Sequence, residues 1–329
     1  MAQNEKTILV TGGAGYIGSA LVLQLLKQGY RVRVIDTLLH GGNALLPFLY
    51  DSRFELVVGD IRRDTDLDTT VRGIYGIVHL AAIVGEPACN HDPELAVAVN
   101  TIGSELLCRK AVSHGVKRFV FASTCSNYGT MSTDDVYLDE NSPLKPISVY
   151  SETKVGFEKY LLGLNEDGFH PTCMRFATAF GLSLRPRFDL TVNEFARELA
   201  LGRKLEVFGE QFWRPYCHVL DLARACVATL EADEGDVSHQ AFNVGSNSEN
   251  YRKKQLVELI LEQLPQMADN VTYVERNDDP RNYRVSFDKI HSKLGFAAER
   301  KVRDGIEEII KAIKLGLIRN PDDRLYRNL

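Results

Sequence analysis

The stretch KTILVTGGAGYIGSALVLQLLKQGYRVRVID, residues 6–36, decides the fold of this chain. An apolar run from Ile8 to Val10 meets a glycine-rich turn, and apolar residues then recur at helical spacing as far as Leu26. Gly29 ends the predicted helix, and RVRVID follows as a second strand that closes on Asp36. The pattern predicts one strand–helix–strand unit with parallel strands.

The same alternation continues along the first half of the chain. Further strand candidates are FELVVGD (54–60), GIVHLAA (76–82), KRFVFAS (117–123) and PTCMRFA (171–177), with helix-like stretches near 64–72, 93–114 and 149–164. Alternating strands and helices predict an α/β fold with a doubly wound parallel Rossmann sheet over residues 1–180. The shorter, mixed elements after Gly181 predict a smaller α/β lobe over 181–329, whose elements can interleave with the first unit. The polar tail RNPDDRLYRNL receives no role.

Composition narrows the function classes. The 329 residues are 44% hydrophobic and 25% charged, as in soluble globular proteins. A formal charge of −5 argues against non-specific nucleic-acid binding. No apolar stretch approaches the roughly 20 residues that cross a bilayer, and the N-terminus lacks the apolar core of a signal peptide. The six cysteines include no C-x-x-C pair, so we expect a cytoplasmic protein with reduced thiols and no metal site.

The glycine-rich turn carries the first functional signal. Gly12, Gly15 and Gly18 lie between a strand and a helix, where backbone N–H groups and the helix dipole bind a pyrophosphate. Asp36 ends the second strand, where a carboxylate accepts from a ribose 2′-hydroxyl and repels a 2′-phosphate. The following residues TLLH include no arginine, so NAD is favoured over NADP. Asp60 and Ile61 end the next strand and either flank the adenine or, for Asp60, cap the next helix.

A second signal is the Y-x-x-x-K spacing of Tyr150 and Lys154 in YSETK. Residues four apart share one face of a helix, so the ammonium lies beside the phenol. A free tyrosine has a pKa of about 10, too high for a base at neutral pH. A neighbouring ammonium and a positive nicotinamide ring both lower that pKa. Combined with a dinucleotide site, the spacing predicts an oxidoreductase base.

Taken in order, the motifs of this chain resemble those of one enzyme group. They are TGGAGYIG (11–18), Asp36, HLAA (79–82), Asn100, STCSNYG (123–129), YSETK (150–154) and RPYCHVLDLA (214–223). The chain resembles the extended short-chain dehydrogenase/reductases, the NAD-dependent nucleotide-sugar epimerases and dehydratases. The resemblance implies cofactor contacts at Gly12, Gly15, Tyr16, Ile17, Gly18, Asp36, Asp60, Ile61, Leu80, Ala81, Ala82, Asn100, Tyr150 and Lys154.

The resemblance also assigns roles around FASTCSNYG, residues 121–129. It implies that Thr124 binds the sugar oxygen that Tyr150 deprotonates, while Lys154 also binds the nicotinamide ribose. In the 4,6-dehydratases an Asp-Glu pair occupies the places of Cys125 and Ser126, so dehydration is disfavoured here. The related 3,5-epimerases use a cysteine at the place of Ser126. A catalytic Cys125 stays open as an alternative, since a thiol with a pKa of about 8.5 needs little tuning.

On the substrate side, the resemblance implies that the C-terminal lobe binds a nucleotide diphosphate. Candidate substrate residues are Thr178, Arg187, Asn193, Arg214 and Arg281. Guanidinium forks suit phosphate oxygens. Many 4-epimerases carry an asparagine in place of Thr178. The segments VGEPACNHDP, PRFDLTVNEF and DPRNYRVS are similar to a sub-branch from surface-polysaccharide clusters, which includes enzymes that oxidise C4 of GDP-linked heptoses. Glu86 and His91 lie in the first segment and either reach the sugar or are solvated.

The residues predict an NAD-dependent enzyme, and the resemblance implies that it oxidises the C4 hydroxyl of a nucleotide-sugar. Net 4-epimerisation is the leading outcome, and net C4 oxidation of a GDP-linked heptose or related sugar is the alternative. A non-catalytic NAD sensor is disfavoured because the Tyr150/Lys154 pair is present. The resemblance further implies a homodimer formed by the helices near 93–114 and 149–164.

Overall fold

The computed structural model describes residues 6–131, 136–274 and 281–328. The strands are β1 (Thr7–Thr11), β2 (Arg31–Asp36), β3 (Phe54–Val58), β4 (Gly76–His79), β5 (Arg118–Thr124), β6 (Tyr137–Leu138), β7 (His170–Phe176), β8 (Thr178–Phe180), β9 (Leu205–Phe208), β10 (Trp213–His218), β11 (Gln240–Val244), β12 (Asn250–Arg252), β13 (Val271–Val274) and β14 (Arg284–Val285). Seven of them form one parallel sheet in the order β11-β7-β5-β4-β1-β2-β3. The predicted doubly wound α/β fold is confirmed.

Helices cover both faces of this sheet. They are α1 (Tyr16–Lys27), α2 (Asp64–Thr70), α3 (Glu86–His91), α4 (Pro93–Val97), α5 (Ser104–Ser113), α6 (Val149–Leu162), α7 (Thr191–Ala200), α8 (Val219–Glu231), α9 (Glu234–Val237), α10 (Lys253–Gln263), α11 (Asp288–Leu294) and α12 (Val302–Lys314). A π-helical segment, Ala98–Gly103, joins α4 to α5. Successive side chains of β1 point to opposite faces, so Val10 packs with α1 and α8, whereas Leu9 packs with α5 and α6.

The parallel register brings the functional motifs to one edge. Thr11 pairs with Ile35 and with His79, and Thr124 pairs with Phe176, all at the carboxyl ends of their strands. In open parallel sheets, ligands bind in the crevice outside this edge. The glycine-rich turn, Asp36 and the residues after β4 and β5 therefore meet at one crevice.

The second half of the chain contributes to both units. A three-stranded sheet, β12-β10-β8, and the parallel pair β13-β9 pack with α7, α10 and α12 around a separate apolar cluster that includes Val207 and Ile306. Strand β11 returns to the edge of the main sheet beside β7, and α8 packs on α1. Residues on both sides of residue 181 therefore contribute to the main sheet. Within the described ranges, no helix combines the length and apolar character that a membrane span needs, and no group of three metal-ligand side chains is found.

Candidate active site

The glycine-rich turn has the shape of a phosphate cradle. Gly12 has a φ of +73°, and a Cβ there would lie 2.9 Å from the backbone nitrogen of Ala81. A Cβ on Gly18 would lie 2.1 Å from the carbonyl oxygen of Gly12, so the helix can approach the turn only without a side chain. Gly15 is the N-cap of α1, and no side chain caps that end. The first N–H groups of α1 therefore remain available to an anion.

Asp36 closes the far side of this cradle. Its carboxylate accepts from the backbone N–H groups of Ala14, at 3.0 Å, and Leu38, at 2.8 Å. Burial raises the pKa of Asp36, while these two bonds and the charge of Arg185 act in the opposite direction. The carboxylate thus ties the glycine-rich turn to the end of β2 and keeps lone pairs for ribose hydroxyls. TLLH includes no arginine, but the fold brings the charge of Arg185 near Asp36 from the C-terminal lobe.

We expect Asp36→Asn to weaken NAD binding about tenfold or more, because a charge-assisted acceptor of ribose hydroxyls is lost. The amide removes the charge that repels a 2′-phosphate, so NADP should gain relative to NAD. Titration of the purified protein with each dinucleotide measures both effects. An unchanged ratio of the two dissociation constants would show that Asp36 does not face the ribose.

The HLAA segment is fixed by a buried hydrogen-bond chain. The Thr11 hydroxyl accepts from the backbone N–H groups of Leu80 and Ala81 at 3.2 and 3.1 Å, so its proton goes to Nδ1 of His79 at 2.7 Å. His79 Nε2 then donates to Ser104 Oγ at 2.8 Å. Burial lowers the pKa of His79 to about 3, so the ring stays neutral. This chain holds Leu80 and Ala81, and the adjoining Ala82, half-buried beside Gly12.

Asn100 fixes the next residues in the same way. Its Oδ1 accepts from the Ile83 N–H at 2.8 Å, and its Nδ2 donates to the Ile83 carbonyl at 3.0 Å and to Thr153 Oγ1 at 3.3 Å. Asn100 lies in the π-helical segment, a feature that is frequent at functional sites. Asn100 therefore joins the loop after β4 to the helix that carries Tyr150 and Lys154, and its predicted cofactor contact stays a prediction.

Asp60 does not cap the helix that follows. Arg63 is the N-cap of α2, and no side chain caps that end. Asp60 instead accepts from the Arg62 backbone N–H at 2.9 Å and from its guanidinium at 2.6 Å. This contact with Arg62 lowers the pKa of Asp60. Of the two alternatives, the capping role is wrong, and the place of Asp60 and buried Ile61 beside an adenine stays a prediction.

Tyr150 and Lys154 occupy one face of α6, as their spacing predicts. The helix begins at Val149 behind a reciprocal pair in which Ser148 Oγ accepts from the Ser151 N–H and Ser151 Oγ accepts from the Ser148 N–H. Lys154 Nζ donates to the Ala122 carbonyl at 2.8 Å and lies 6.0 Å from the centre of the Tyr150 ring. The ammonium is therefore anchored to β5 within electrostatic range of the phenol.

The electrostatics of this pair depend on burial as well as on charge. Burial raises the pKa of Tyr150, whereas the sequence argument considered only the lowering by a neighbouring cation. Burial lowers the pKa of Lys154 to about 8, so the ammonium still predominates at neutral pH and is lost above it. The protein by itself therefore keeps the phenol protonated. For Tyr150 to act as a base, a bound positive nicotinamide would supply a second cation that favours the phenolate.

Thr124 lies at the end of β5 beside the phenol. Its hydroxyl interacts with Tyr150 and accepts from the Ser126 N–H at 3.1 Å. Cys125 points away into the core, where its thiol donates to the Arg175 carbonyl at 3.1 Å and burial raises its pKa. A buried thiol with a raised pKa is a poor proton donor or acceptor. Among the three residues of the TCS stretch, the structure therefore presents Thr124 and Ser126 to the crevice.

Two residues beside this centre were not anticipated from the sequence. The Tyr283 hydroxyl lies 3.3 Å from Ser126 Oγ, and the Tyr283 ring is buried. Cys89, on α3, donates its thiol to the Ile83 carbonyl at 3.4 Å and lies within electrostatic range of Tyr150 and Lys154. Burial raises the pKa of Cys89 to about 11. The loop after HLAA thus reaches the reactive centre through Cys89, and no spacing in the sequence signals that approach.

Arg214 and Arg281 lie together on the substrate side. Arg214 Nη1 donates to the carbonyls of Trp213, at 2.7 Å, and Arg281, and its guanidinium lies over the Tyr283 ring at 5.1 Å. Arg281 forms an ion pair with Glu86 at 2.9 Å. Glu86 is therefore paired rather than solvated, and His91 is exposed at the end of α3. The first two residues of DPRNYRVS lie outside the described residues.

The remaining substrate candidates differ in their surroundings. Arg187 forms a two-point ion pair with Asp189, at 2.9 and 2.6 Å, and its charge reaches Tyr150. Asn193 is buried. Its Oδ1 accepts from the Gly181 N–H, and its Nδ2 donates to the carbonyls of Gly181 and Arg187 and to the Tyr16 hydroxyl. These bonds favour an anchoring role for Asn193. Thr178 pairs in register with Tyr216 and is half-buried.

Known proteins share this architecture. The model of the NAD dependent epimerase/dehydratase family matches residues 8–245. The UDP-glucose 4-epimerase of Halalkalibacterium halodurans is 32% identical over 309 residues, covering 88% of this chain and 90% of that protein. A dTDP-glucose 4,6-dehydratase structure from Streptomyces venezuelae, with NAD bound, has a TM-score of 0.84, 28% identity and coverage of 94% and 97%. A UDP-glucose 4-epimerase structure from Thermotoga maritima, with UDP-glucose, has a TM-score of 0.81, 27% identity and coverage of 94% and 99%.

The motifs, the crevice and these similarities agree. A glycine cradle with a terminal carboxylate, a Tyr/Lys pair on one helix and a sheet that superposes on nucleotide-sugar enzymes occur together in one chain. The chain belongs to the NAD dependent epimerase/dehydratase family, an enzyme family that uses NAD.

Proposed function

We propose that this enzyme is a nucleotide-sugar 4-epimerase. The observation that carries the proposal is the chemistry of the residues after β5. Thr124, Tyr150 and Lys154 provide the groups for oxidising a C4 hydroxyl. Cys125 and Ser126, at the two places where the resemblance puts the Asp-Glu pair of the dehydratases, provide no carboxylate. The C4 redox machinery is present, and the acid and base for eliminating water across C5 and C6 are absent from those places.

Three side chains have separate roles in the first step, the oxidation of the C4 hydroxyl. Tyr150, as phenolate, takes the proton from the C4 hydroxyl, and Thr124 donates to the same sugar oxygen and orients it. Lys154 stabilises the phenolate and is held in place by the Ala122 carbonyl. NAD, when bound, supplies the acceptor and then the donor of the C4 hydride. Gly12, Gly15 and Gly18 with the first turn of α1 would hold its pyrophosphate, and Asp36 a ribose.

The substrate is proposed to be a nucleoside diphosphate sugar. The Arg214 guanidinium donates to the Arg281 carbonyl, so the two arginines are neighbours, and guanidinium groups suit phosphate oxygens. The guanidinium groups of Arg252 and Arg284 lie over the Trp213 ring, 4.8 and 4.6 Å from its centre, which adds cationic and aromatic surface nearby. A nucleotide base and a diphosphate both match this surface.

Net oxidation at C4 is the second candidate. The helix α3 places Cys89 beside the catalytic pair, in the segment that resembles the heptose-oxidising branch, and Thr178 replaces the asparagine of many 4-epimerases. A dehydrogenase releases the 4-ketone and needs its NADH reoxidised by another reactant. An epimerase needs neither. The two outcomes therefore differ in product and in stoichiometry.

Proton NMR of the purified enzyme, incubated in D₂O with a panel of UDP-, dTDP- and GDP-sugars, separates these candidates. We expect one sugar to appear with an inverted C4 centre and no deuterium on carbon. A 4-keto product with one NADH per turnover would identify the dehydrogenase instead. Deuterium at C3, C5 or C6 would reveal dehydratase or 3,5-epimerase chemistry and contradict the proposal.

The assembly proposed with this function is a homodimer. Val97, Ile102 and Ile147 are apolar and exposed on or next to the helices that the resemblance places at the interface. Covering them would remove apolar surface from water. The cytoplasmic location and a role in polysaccharide biosynthesis belong to the same proposal.

A further inference from the structure

The segment Gly181–Asp189 is bound to the cofactor cradle. The Tyr16 hydroxyl, on the first residue of α1, donates to the Gly181 carbonyl at 2.7 Å. Asn193 Nδ2 donates to that same carbonyl at 3.0 Å and to the Arg187 carbonyl at 2.8 Å. These bonds hold the arginine-bearing loop of the C-terminal lobe against the start of the phosphate-binding helix.

Arg185, in the middle of this loop, is buried, and none of the described carboxylates forms an ion pair with it. Only 7% of the residue is exposed. Its Nη1 donates to Asn328 Oδ1 at 2.9 Å and its Nη2 to the Arg327 carbonyl at 3.0 Å, and both acceptors are neutral. Within the described part of the chain, its Nε has no hydrogen-bond partner. A buried guanidinium without an anion is costly.

Neighbouring arginines of the lobe are neutralised differently. Arg187 pairs with Asp189, and Arg203 pairs with Asp322, each with its closest oxygen at 2.6 Å. Arg185 instead interacts at longer range with Asp189, which already pairs with Arg187, and with Asp36. Burial, and then the charges of Arg185 and Arg187, lower the pKa of His40 to about 4, so His40 is neutral at pH 7. Among the described residues, none of these three groups forms an ion pair with Arg185.

The C-terminal segment keeps Arg185 in place. The Phe188 N–H donates to the Tyr326 carbonyl at 2.8 Å, and the two rings meet edge to face at 5.8 Å. The Asn328 N–H donates to Asp189 Oδ2 at 3.1 Å. Residues 326–328 therefore form a strap across the loop, and this gives a structural purpose to a tail whose sequence suggested none.

We propose that Arg185 is a cofactor-binding residue whose guanidinium contacts the pyrophosphate of NAD, and that residues 326–328 position it. The glycine cradle would hold the pyrophosphate and Asp36 the neighbouring ribose. The loop that carries Arg185 is bound to Tyr16 at the start of α1, and the charge of Arg185 also acts on Asp36. When bound, the pyrophosphate would supply the counter-ion for Arg185, and this contact would slow cofactor release.

The test is direct binding without any sugar, so its outcome is independent of the proposed reaction. We expect R185M to weaken NAD about 10- to 100-fold, the range for losing a charge-assisted hydrogen bond. R185M should weaken the binding of ADP-ribose, which retains the pyrophosphate, by the same factor. The binding of adenosine to R185M should be unchanged. R203M, which removes an exposed arginine of the same lobe, is the matched control and should bind NAD like the wild type.

Two results would overturn the proposal. One is a folded R185M that binds NAD within twofold of the wild type, and the other is an equal weakening of adenosine, which would place Arg185 on the nucleoside. If R185M fails to fold, N328A tests the proposal instead. It removes one acceptor of the guanidinium while the chain retains Arg185 itself. We expect NAD to dissociate faster from N328A, and an unchanged dissociation rate would count against the strap.

Discussion

Replacing Tyr150 by phenylalanine should abolish turnover and leave NAD bound. The substitution removes only the phenolic oxygen, which is the proposed acceptor of the C4 proton, and general base catalysis contributes about 100- to 10,000-fold. The ring is retained, so the contacts of α6 with the cofactor crevice persist. Turnover of the sugar that is active in the NMR panel and the NAD content of the purified protein measure the two effects separately.

Tyr160→Phe provides the matched control. Tyr160 lies on the same helix, beyond Lys154 toward its C-terminal end, and its ring stacks on Phe157. Its loss should leave turnover within about twofold, as for a surface substitution. A Tyr150→Phe enzyme with a tenth or more of the wild-type rate would exclude Tyr150 as the base. An equal loss in both variants would point to the fold of α6 instead.

The second large effect concerns the stability of the catalytic helix. Glu158 lies one turn beyond Lys154 on α6, and its carboxylate accepts from Arg175 Nε at 3.0 Å and from Ser123 Oγ at 2.6 Å. Glu158 and Arg175 are 1% and 5% exposed. Glu158→Ala leaves the guanidinium buried and unpaired, so we expect the free energy of unfolding to fall by about 3–5 kcal/mol. Denaturant unfolding with the NAD content held fixed measures this loss.

Glu55→Ala is the control for an exposed ion pair. Glu55 is half-exposed on β3, and its partner Arg33 retains bonds to the Thr70 and Arg72 carbonyls. Its loss should cost no more than about 1 kcal/mol. Replacing Glu158 and Arg175 together by leucine and methionine should recover much of the stability, because no charge is then buried alone. A loss below 1 kcal/mol in Glu158→Ala would show that the pair does not stabilise α6.

Local signals predicted the fold and the reactive pair. The predicted strand from Ile8 to Val10 is observed as Thr7–Thr11, and the helix predicted as far as Leu26 is observed as Tyr16–Lys27. These elements were predictable because apolar periodicity depends only on residues that are close in sequence. Tyr150 and Lys154 meet for the same reason, since a four-residue spacing on a helix fixes their relation. Glu158 follows Lys154 by a further four residues, so its place on the same face of the helix was predictable in the same way.

Contacts between distant segments were not accessible in this way. Cys89 reaches Tyr150 only because α3 folds back onto α6, and Tyr283 reaches Ser126 from the C-terminal lobe. The surroundings of Arg185 come from three parts of the chain: its own loop, residues 327 and 328 of the C-terminal segment, and Asp36. No periodicity or spacing in the sequence signals such contacts, because they form only when distant segments pack together.

Burial was the other quantity that the sequence did not supply. The neighbouring ammonium of Lys154 was expected to lower the pKa of Tyr150, but in the protein burial is the largest effect and raises the pKa of the phenol. Cys125 illustrates the same point, because its position beside Thr124 suggested chemistry while its side chain lies in the core. Adjacent residues at a strand end can face opposite sides of the sheet.

The most direct test of the central claim follows the hydrogen at C4. The active nucleotide-sugar is prepared with deuterium at C4 and converted in ordinary water to equilibrium. We predict that the label stays on C4 of both epimers, because the hydride is removed and returned at the same carbon. Label at C6 of a 4-keto, 6-deoxy product, or label in released NADH, would contradict 4-epimerisation and identify a dehydratase or a dehydrogenase.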